Sequence, residues 1–505
     1  MENLNRKFLS ANPEIAGVKV GSLKNNYPEK VIQFGEGNFL RAFTTWMINT
    51  LNANNEFNGS VVVVQPLKVG LTKLLNDQDG LYTLLMRGIE NGTAQEKREI
   101  ITAVNRSLDP YTQWDALMEC ACNPDMRFMI SNTTEAGIAY VDEPRPRTEC
   151  PTSFPAKVCA FLYKRFKFFN GDPSKGMVMI CCELIERNGY QLKKIVCKLA
   201  KQWELRPEFI DWLENSCYFL NTLVDRIVPG YPRDNAPQIC EELGYNDQLL
   251  DACELFHLWV IEGPQHLAEE IPFHKLGLNV IWTDDMTPYR TRKVRMLNGA
   301  HTSSVLGAYL AGIDYVGDMM NDELFLKFVE KALLEEILPQ VPGDYDSNKS
   351  FALSILDRFR NPFIQHALLS ISLNSVSKWK VRVLPSVKDY IAKNDSLPQL
   401  LCYSLAALIA FYNGVGSVEE ELRGTRDGKS YSIKDDVDVL VFFEKRWHAF
   451  RHNHDLRVLV ATILANENLW GEDLTLLPGM VDFVTTQLQS ILVSGVRETV
   501  KALLK

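Results

Sequence analysis

Val31-Ile-Gln-Phe-Gly-Glu-Gly-Asn-Phe39 decides how the first half of this chain reads. A short apolar run, Val31 to Phe34, stops at Gly35-Glu-Gly37, and a helical pattern takes over from about Phe39 to Leu51. Strand, glycine turn and helix in succession put free backbone N–H groups and a helix dipole where an anion can approach. Glycine permits both the tight turn and the close approach of a dinucleotide pyrophosphate. The third glycine of the usual fingerprint is absent, because Leu40 stands in its place. An ordinary turn is the plainer reading, but the strand before and the helix after favour a nucleotide, with Phe34, Gly35, Gly37, Asn38 and Phe39 as its contacts.

Outward from this turn the same alternation continues. Ser60 to Gln65, Arg127 to Ser131 and Met177 to Cys181 are short continuous apolar runs, as strands buried on both faces should be. Helical patterns lie between them, for example Trp114 to Cys120 and Pro155 to Phe166. Strands alternating with helices predict a mostly parallel sheet with helices on both faces. The carboxylate that usually binds ribose at the end of the second strand is missing, since that strand runs into Gln65-Pro-Leu-Lys68. Gln65 suits a ribose hydroxyl and Lys68 a 2′-phosphate, so this pattern leaves NAD and NADP both open.

After Trp282-Thr-Asp-Asp-Met-Thr-Pro288 the periodicity turns helical, over Arg292 to Ala311, Leu324 to Leu338, Leu397 to Tyr412 and Met480 to Leu504. The expectation is an α/β domain over residues 1–285 and a mostly helical domain over residues 286–505.

Composition narrows the function. Lys and Arg number 54 against 63 Asp and Glu, a net charge of −9, which argues against a general nucleic-acid binder. The 505 residues are 46% hydrophobic and 23% charged, an ordinary globular balance. No apolar run approaches the roughly 20 residues that span a bilayer, and Met1-Glu-Asn3 does not open a signal peptide, so no membrane is expected. Eleven cysteines scattered from Cys120 to Cys402 read as reduced thiols of a cytoplasmic protein. Neither Cys120-Ala-Cys122 nor His452-Asn-His454 has further ligands at metal spacing, so no metal site is assigned.

Chemistry concentrates in Thr287-Pro-Tyr-Arg-Thr-Arg-Lys293-Val-Arg-Met-Leu-Asn298-Gly-Ala-His301. Pro288 suits the first turn of a helix. At about 100° per residue, Lys293, His301 and Asn298 fall at roughly 0°, 80° and 140°, on one broad face. An amine removed from water exchanges its proton nearer neutrality, and an amide can hold a developing alkoxide. The same spacing also describes a solvated helix edge with a core histidine.

Gly35-x-Gly37-x-Phe39-x-Arg41 together with Lys293-x-Arg-x-Leu-Asn298-Gly-Ala-His301 resembles the polyol-specific long-chain dehydrogenase family. Phe34 to Arg41, Ser131-Asn-Thr-Thr-Glu-Ala-Gly137, Arg358-Phe-Arg-Asn-Pro362 and Leu373 to Lys378 point to a branch that acts on sugar acids. The resemblance runs from about residue 30 to residue 490. It implies a Rossmann-type N-terminal domain followed by a mostly α-helical C-terminal domain, a site in the cleft between them, and hydride transfer with NAD and no metal. It implies Lys293 as general acid/base, Asn298 and Asn188 as oxyanion-binding amides, and His301 as the group that orients the substrate carbonyl region. It adds Gln65, Thr133, Thr134 and Glu135 to the cofactor contacts, and Asp225 and Lys378 to the substrate contacts. The substrate pair it implies is D-tagaturonate and D-altronate of hexuronate breakdown, with fructuronate or a neutral hexitol such as mannitol as alternatives. A monomer is compatible with all of this.

The chain departs from the mannitol-specific pattern. Arg290 stands where a carboxylate precedes the catalytic lysine by three residues, Ser370 replaces an arginine eight residues before Lys378, and Glu183-Leu-Ile-Glu-Arg-Asn188-Gly189 replaces Asp-Asn-x-Pro-x-Asn-Gly. An arginine in place of a carboxylate suits an anionic substrate, so Arg290 is a candidate carboxylate contact. Asn188 could instead cap a helix, and Asp225 could pair with a nearby arginine. Two other readings stay open: a short-chain-type dehydrogenase built on Tyr190-x-x-x-Lys194, and a dinucleotide-binding sensor without catalysis.

Overall fold

The computed structural model describes residues 1–24, 26–90, 92–134, 136–415 and 422–505. It divides into two compact units, Met1–Gly88 with Gln95–Met286, and Ile89–Ala94 with Thr287–Lys505.

The first unit is built on an eight-stranded sheet. Its strands are β1 (Glu29–Phe34), β2 (Ser60–Val64), β3 (Val104–Leu108), β4 (Phe128–Ser131), β5 (Val178–Cys181), β6 (Tyr218–Asp225), β7 (Leu258–Glu262) and β8 (Val280–Thr283). Their order across the sheet is β8-β7-β6-β5-β4-β1-β2-β3. Strands β1 to β6 run parallel, β7 runs antiparallel to β6, and β8 follows β7 in parallel. The chain therefore winds outward from β1 in both directions, and the order reverses between β1 and β4. In open α/β sheets that switch point is where a dinucleotide lies.

The apolar runs are continuous because both faces of the sheet are covered. Val31, Val61, Val63, Phe128, Ile130, Val178 and Ile180 point into one core, and Ile32, Phe34, Val62, Val64, Met129, Met179 and Cys181 into the other. Each such side chain contributes about 1.5–3 kcal/mol on burial. A second sheet, ordered Lys19–Val20, Thr93–Ile101, Tyr82–Glu90, Asp251–Glu254, was not expected from the sequence. Thr93–Ile101 begins Thr-Ala-Gln-Glu-Lys-Arg and buries only Glu99, Ile100 and Ile101 at its end, so no apolar alternation marks it.

The second unit is mostly helical. One long helix covers residues 287–310 and changes to π geometry over Val294–Asn298. Behind it lies Gln399–Phe411, buried at every residue from Leu400 to Phe411. Gly307 on the long helix lets the Tyr403 hydroxyl approach to 3.2 Å of where a Cβ would stand. After residue 286 the only strands among the described residues form a hairpin, Arg423–Arg426 paired antiparallel with Lys429–Ser432. Its two-residue turn is Asp427-Gly428, both at positive φ, as a tight hairpin requires.

Candidate functional site

In the first unit the glycine turn follows β1 directly. Gly35 has φ +128°, and a Cβ there would meet Leu40 Cδ1 at 2.9 Å and the Asn132 carbonyl oxygen at 3.0 Å. Gly35 is thus required by the backbone and by the close passage of the segment after β4. Gly37 is different: it caps the helix at φ −68°, and a Cβ there would meet nothing within 4 Å. The fold itself does not need glycine at 37, and the space in front of that helix end is open. A pyrophosphate fits there, against N–H groups that have no side-chain cap.

Gln33 holds the turn from beneath. It is fully buried, its amide N–H donates to the Gly35 carbonyl at 2.9 Å, and its oxygen accepts from Thr44 at 3.1 Å and Thr45 at 2.8 Å. Both threonines lie in a π turn, Arg41–Thr45. Arg41 closes the other side, donating to the carbonyls of Glu36 and Leu249 and to Asn38 Oδ1, with Asp251 at 3.6 Å. The Asn38 amide oxygen is therefore committed to Arg41. Phe39 stacks on Phe43 at 5.0 Å, and Phe34 is a core residue against Phe154 at 5.2 Å.

The structure turns Gln65 into its own loop. It is 4% exposed, its amide donating to the Leu67 carbonyl at 2.8 Å and accepting from Thr72 N–H at 3.4 Å. One of its two amide N–H groups is thereby taken by Leu67. Lys68 lies over the Tyr111 ring at 5.9 Å. The carboxylate beside this loop comes from the glycine turn: a Cβ at Gly70 would meet Glu36 Oε1 at 2.2 Å. Burial raises the Glu36 pKa, while N–H groups including that of Leu71 oppose the rise.

Beyond β4, Ser131 and Thr133 hydroxyls donate to Glu183 at 3.1 and 3.0 Å, and the Thr133 N–H donates to it at 3.1 Å. Thr133 is spent on this buried carboxylate rather than presented to a ligand. Thr134 is exposed with φ +69°, and Glu135 lies outside the described residues.

Asn188 also departs from its expected part. It is fully buried, its N–H groups reach the carbonyls of Cys181, Glu183 and Thr222 at 2.9, 3.0 and 3.2 Å, and its oxygen accepts from Gly189 and Thr222. Every polar atom of the amide is used, so none is left to meet an alkoxide. Asn188 instead ties the ends of β5 and β6 to the start of the helix Asn188–Gln202. Gly189 follows because a Cβ there would stand 2.3 Å from the Leu220 carbonyl oxygen. Asp225 is buried at the end of β6.

In the second unit the π turn changes the angular reading. The Gly299 N–H reaches the Val294 carbonyl, a five-residue closure. Across such a turn residues five apart come nearly into line, as residues four apart do in an α-helix. Asn298 is five residues after Lys293, so it lies one turn above it rather than offset by roughly 140°. His301 and Thr302 occupy the next turn. The His301 ring stacks on Phe359 with centroids 4.0 Å apart and planes 4° from parallel, and His366 meets it edge-on at 5.6 Å. Phe359 belongs to the Arg358-to-Pro362 motif, where Asn361 Oδ1 accepts the Phe363 N–H at 3.0 Å and closes a turn after the helix.

Ser375–Arg382 crosses the long helix at Gly299, where a Cβ would stand 3.1 Å from the Arg382 carbonyl oxygen. Lys378 donates to the Ile371 carbonyl at 2.8 Å. Burial, and then Arg382, lower its pKa, with Asp435 opposing. Arg382 donates to Thr302 Oγ1 at 3.4 Å. Lys293, Asn298, His301, Lys378 and Arg290 are all half-buried. Sequence reasoning missed Gln33, Glu36, Phe359 and Arg382. Gln33, Glu36 and Phe359 each stood inside a quoted stretch without being singled out, and Arg382 stood in none.

Comparison with known proteins gives one consistent picture. The family model described as the mannitol dehydrogenase Rossmann domain matches residues 29–275, and that described as the mannitol dehydrogenase C-terminal domain matches residues 285–492. Altronate oxidoreductases of Yersinia enterocolitica and Escherichia coli are each 45% identical over 479 residues, covering 94% of this chain and 97% of theirs. Among solved structures, Pseudomonas fluorescens mannitol 2-dehydrogenase, in a ternary complex with NAD and D-mannitol, is 22% identical with TM-score 0.68 and covers 99% of both chains. A D-sorbitol dehydrogenase is 19% identical with TM-score 0.79, covering 99% of this chain and 100% of its own. At these identities the two structures share the fold.

Proposed function

The chain belongs to the mannitol dehydrogenase family, and from that premise we propose that it is an NAD-dependent oxidoreductase interconverting D-tagaturonate and D-altronate. The observation that carries this reading is 45% identity to altronate oxidoreductases across 94% of the chain. Bound NAD supplies the hydride acceptor for altronate and, when reduced, the donor for tagaturonate. Gly35, Gly37 and the helix end after them would hold its pyrophosphate. The buried Glu36 carboxylate beside the loop after β2 supports NAD over NADP, because a 2′-phosphate there would meet like charge.

Lys293 gives its proton to the keto oxygen in reduction and takes it from the hydroxyl in oxidation. Asn298, one π turn above it, donates its amide to the oxygen on which charge develops. His301, held flat by Phe359, orients the carbonyl region. Asp225, Arg290 and Lys378 contact the rest of the sugar acid. Asn188 acts through the backbone it ties together, as a positioning residue. Eleven unpaired thiols fit a reducing compartment, the cytoplasm.

The test is NADH and NADPH consumption with D-tagaturonate, D-fructuronate and D-fructose in parallel. Turnover mainly with tagaturonate and NADH is expected. A preference for fructuronate or fructose overturns the substrate assignment. Lys293→Ala should lower kcat by several orders of magnitude while NADH affinity survives; equal loss of both would make Lys293 structural.

A further inference from the structure

We propose that Lys378, Arg382 and Thr302 form a carboxylate site in the second unit that takes the charged end of the sugar-acid substrate. This rests on the sugar-acid reading above and assigns that charge a place.

Arg295 pairs with Asp389, Arg360 with Glu330 and Arg426 with Asp314. Among the described residues Arg292 meets no carboxylate, but it lies over the Phe351 and Tyr289 rings, at 4.7 and 5.3 Å. Arg382 is half-buried and has neither: among the described residues no carboxylate and no aromatic face meets it, and its side chain makes one long hydrogen bond, to Thr302. Withdrawing a charged group from water without a counter-charge is costly. Burial accordingly lowers its pKa, with no charged neighbour to offset the effect.

Arg382 also does not stand alone. Lys378 is one helical turn before it, half-buried and likewise without an ion pair among the described residues. Like charges four residues apart repel by a few tenths of a kcal/mol in a helix. An anion beside both removes that repulsion and supplies the missing counter-charge. The rigid guanidinium fork matches a carboxylate edge to edge, and the Thr302 hydroxyl adds a donor. The place is right for a substrate. Thr302 directly follows His301 and lies one turn beyond Asn298, and Gly299 lets the Arg382 backbone close onto this helix. A sugar acid with its keto group at Lys293 and Asn298 then has its carboxylate at Lys378 and Arg382.

The test compares binding and turnover. Titration calorimetry with D-altronate, D-mannonate and D-gluconate, in the presence of NAD, is run on the wild type, Arg382→Leu, Arg382→Lys and Arg290→Ala. Loss of a hydrogen-bonded charge predicts about ten- to hundredfold weaker hexonate binding in Arg382→Leu, with partial recovery in Arg382→Lys. In steady-state assays the ratio of kcat/KM for tagaturonate to that for tagatose, which has a hydroxymethyl group in place of the carboxylate, should fall by the same factor, mostly through KM. Hexonate binding that survives Arg382→Leu, or an acid preference that collapses in Arg290→Ala alone, overturns the assignment. Equal losses on tagaturonate and tagatose also overturn it, as a general structural effect. A wild type that binds no hexonate overturns both this site and the sugar-acid reading, whereas binding of a hexonate other than altronate, weakened by Arg382→Leu, overturns only the tagaturonate assignment.

Discussion

The imidazole of His301 lies flat on the ring of Phe359, with centroids 4.0 Å apart and planes 4° from parallel. The stack fixes the plane of the imidazole, while His366 closes one edge at 5.6 Å. The orienting role proposed for His301 would then rest on two elements, the long helix and Tyr345–Phe359.

Phe359→Leu should separate orientation from packing. It keeps most of the buried volume but loses the planar face, so the expected stability cost is about 1–1.5 kcal/mol. If the stack orients the imidazole, kcat for tagaturonate falls about tenfold while NADH affinity stays within twofold. Retained kcat would leave Phe359 a packing residue only. Phe359→Ala is the poorer test, because cavity formation alone costs about 3–5 kcal/mol.

Gly35 and Gly37 should behave oppositely although two residues apart. Gly37→Ala places a methyl where nothing stands within 4 Å, at an ordinary φ of −68°. Stability should hold or rise by up to about 1 kcal/mol, while NADH affinity drops tenfold or more. Gly35→Ala forces φ +128° on alanine, with contacts of 2.9 and 3.0 Å, and should cost about 1–3 kcal/mol. Thermal unfolding and NADH titration check both. Unchanged NADH affinity in Gly37→Ala would move the pyrophosphate away from this turn.

The sheet was legible because its strands bury both faces: four consecutive valines, Val61 to Val64, allow little else. The long helix was legible from Pro288 onward, but its angular arithmetic was not. A π turn leaves no mark in composition, and it moved Asn298 from the flank of Lys293 to the turn above it. Thr93–Ile101 was invisible because its first residues are polar and exposed. Side-chain direction was equally hidden. Gln65, Thr133 and Asn188 occupy the positions the pattern named, yet their polar atoms are spent on Leu67, Glu183 and Thr222. Arg382 had no motif at all; only the contrast with paired arginines elsewhere in its unit sets it apart.

His257 should give the first unit an acid-sensitive step. Its Nε2 accepts the Asn279 backbone N–H at 3.0 Å, so the proton sits on Nδ1, facing the Leu255 carbonyl at 3.3 Å. The ring also meets Trp46 edge-on at 4.9 Å. Burial, and then the charge of Arg226, push its pKa down from 6.5 to about 4. The folded state therefore prefers the neutral ring, and the unfolded chain binds the proton first. The stabilisation is complete above about pH 6.5 and is lost as pH falls toward about 4, by at most about 3 kcal/mol. Carboxylates also titrate across this window, so the wild type is compared with His257→Gln, whose amide can both accept from Asn279 and donate to Leu255 without gaining charge. Urea unfolding at pH 7.5, 6.5, 5.5 and 4.5 should show the variant losing less stability than the wild type between the first and last values. Parallel curves would mean that His257 titrates alike in the folded and unfolded chain, and that its bond from Asn279 does not hold the ring neutral.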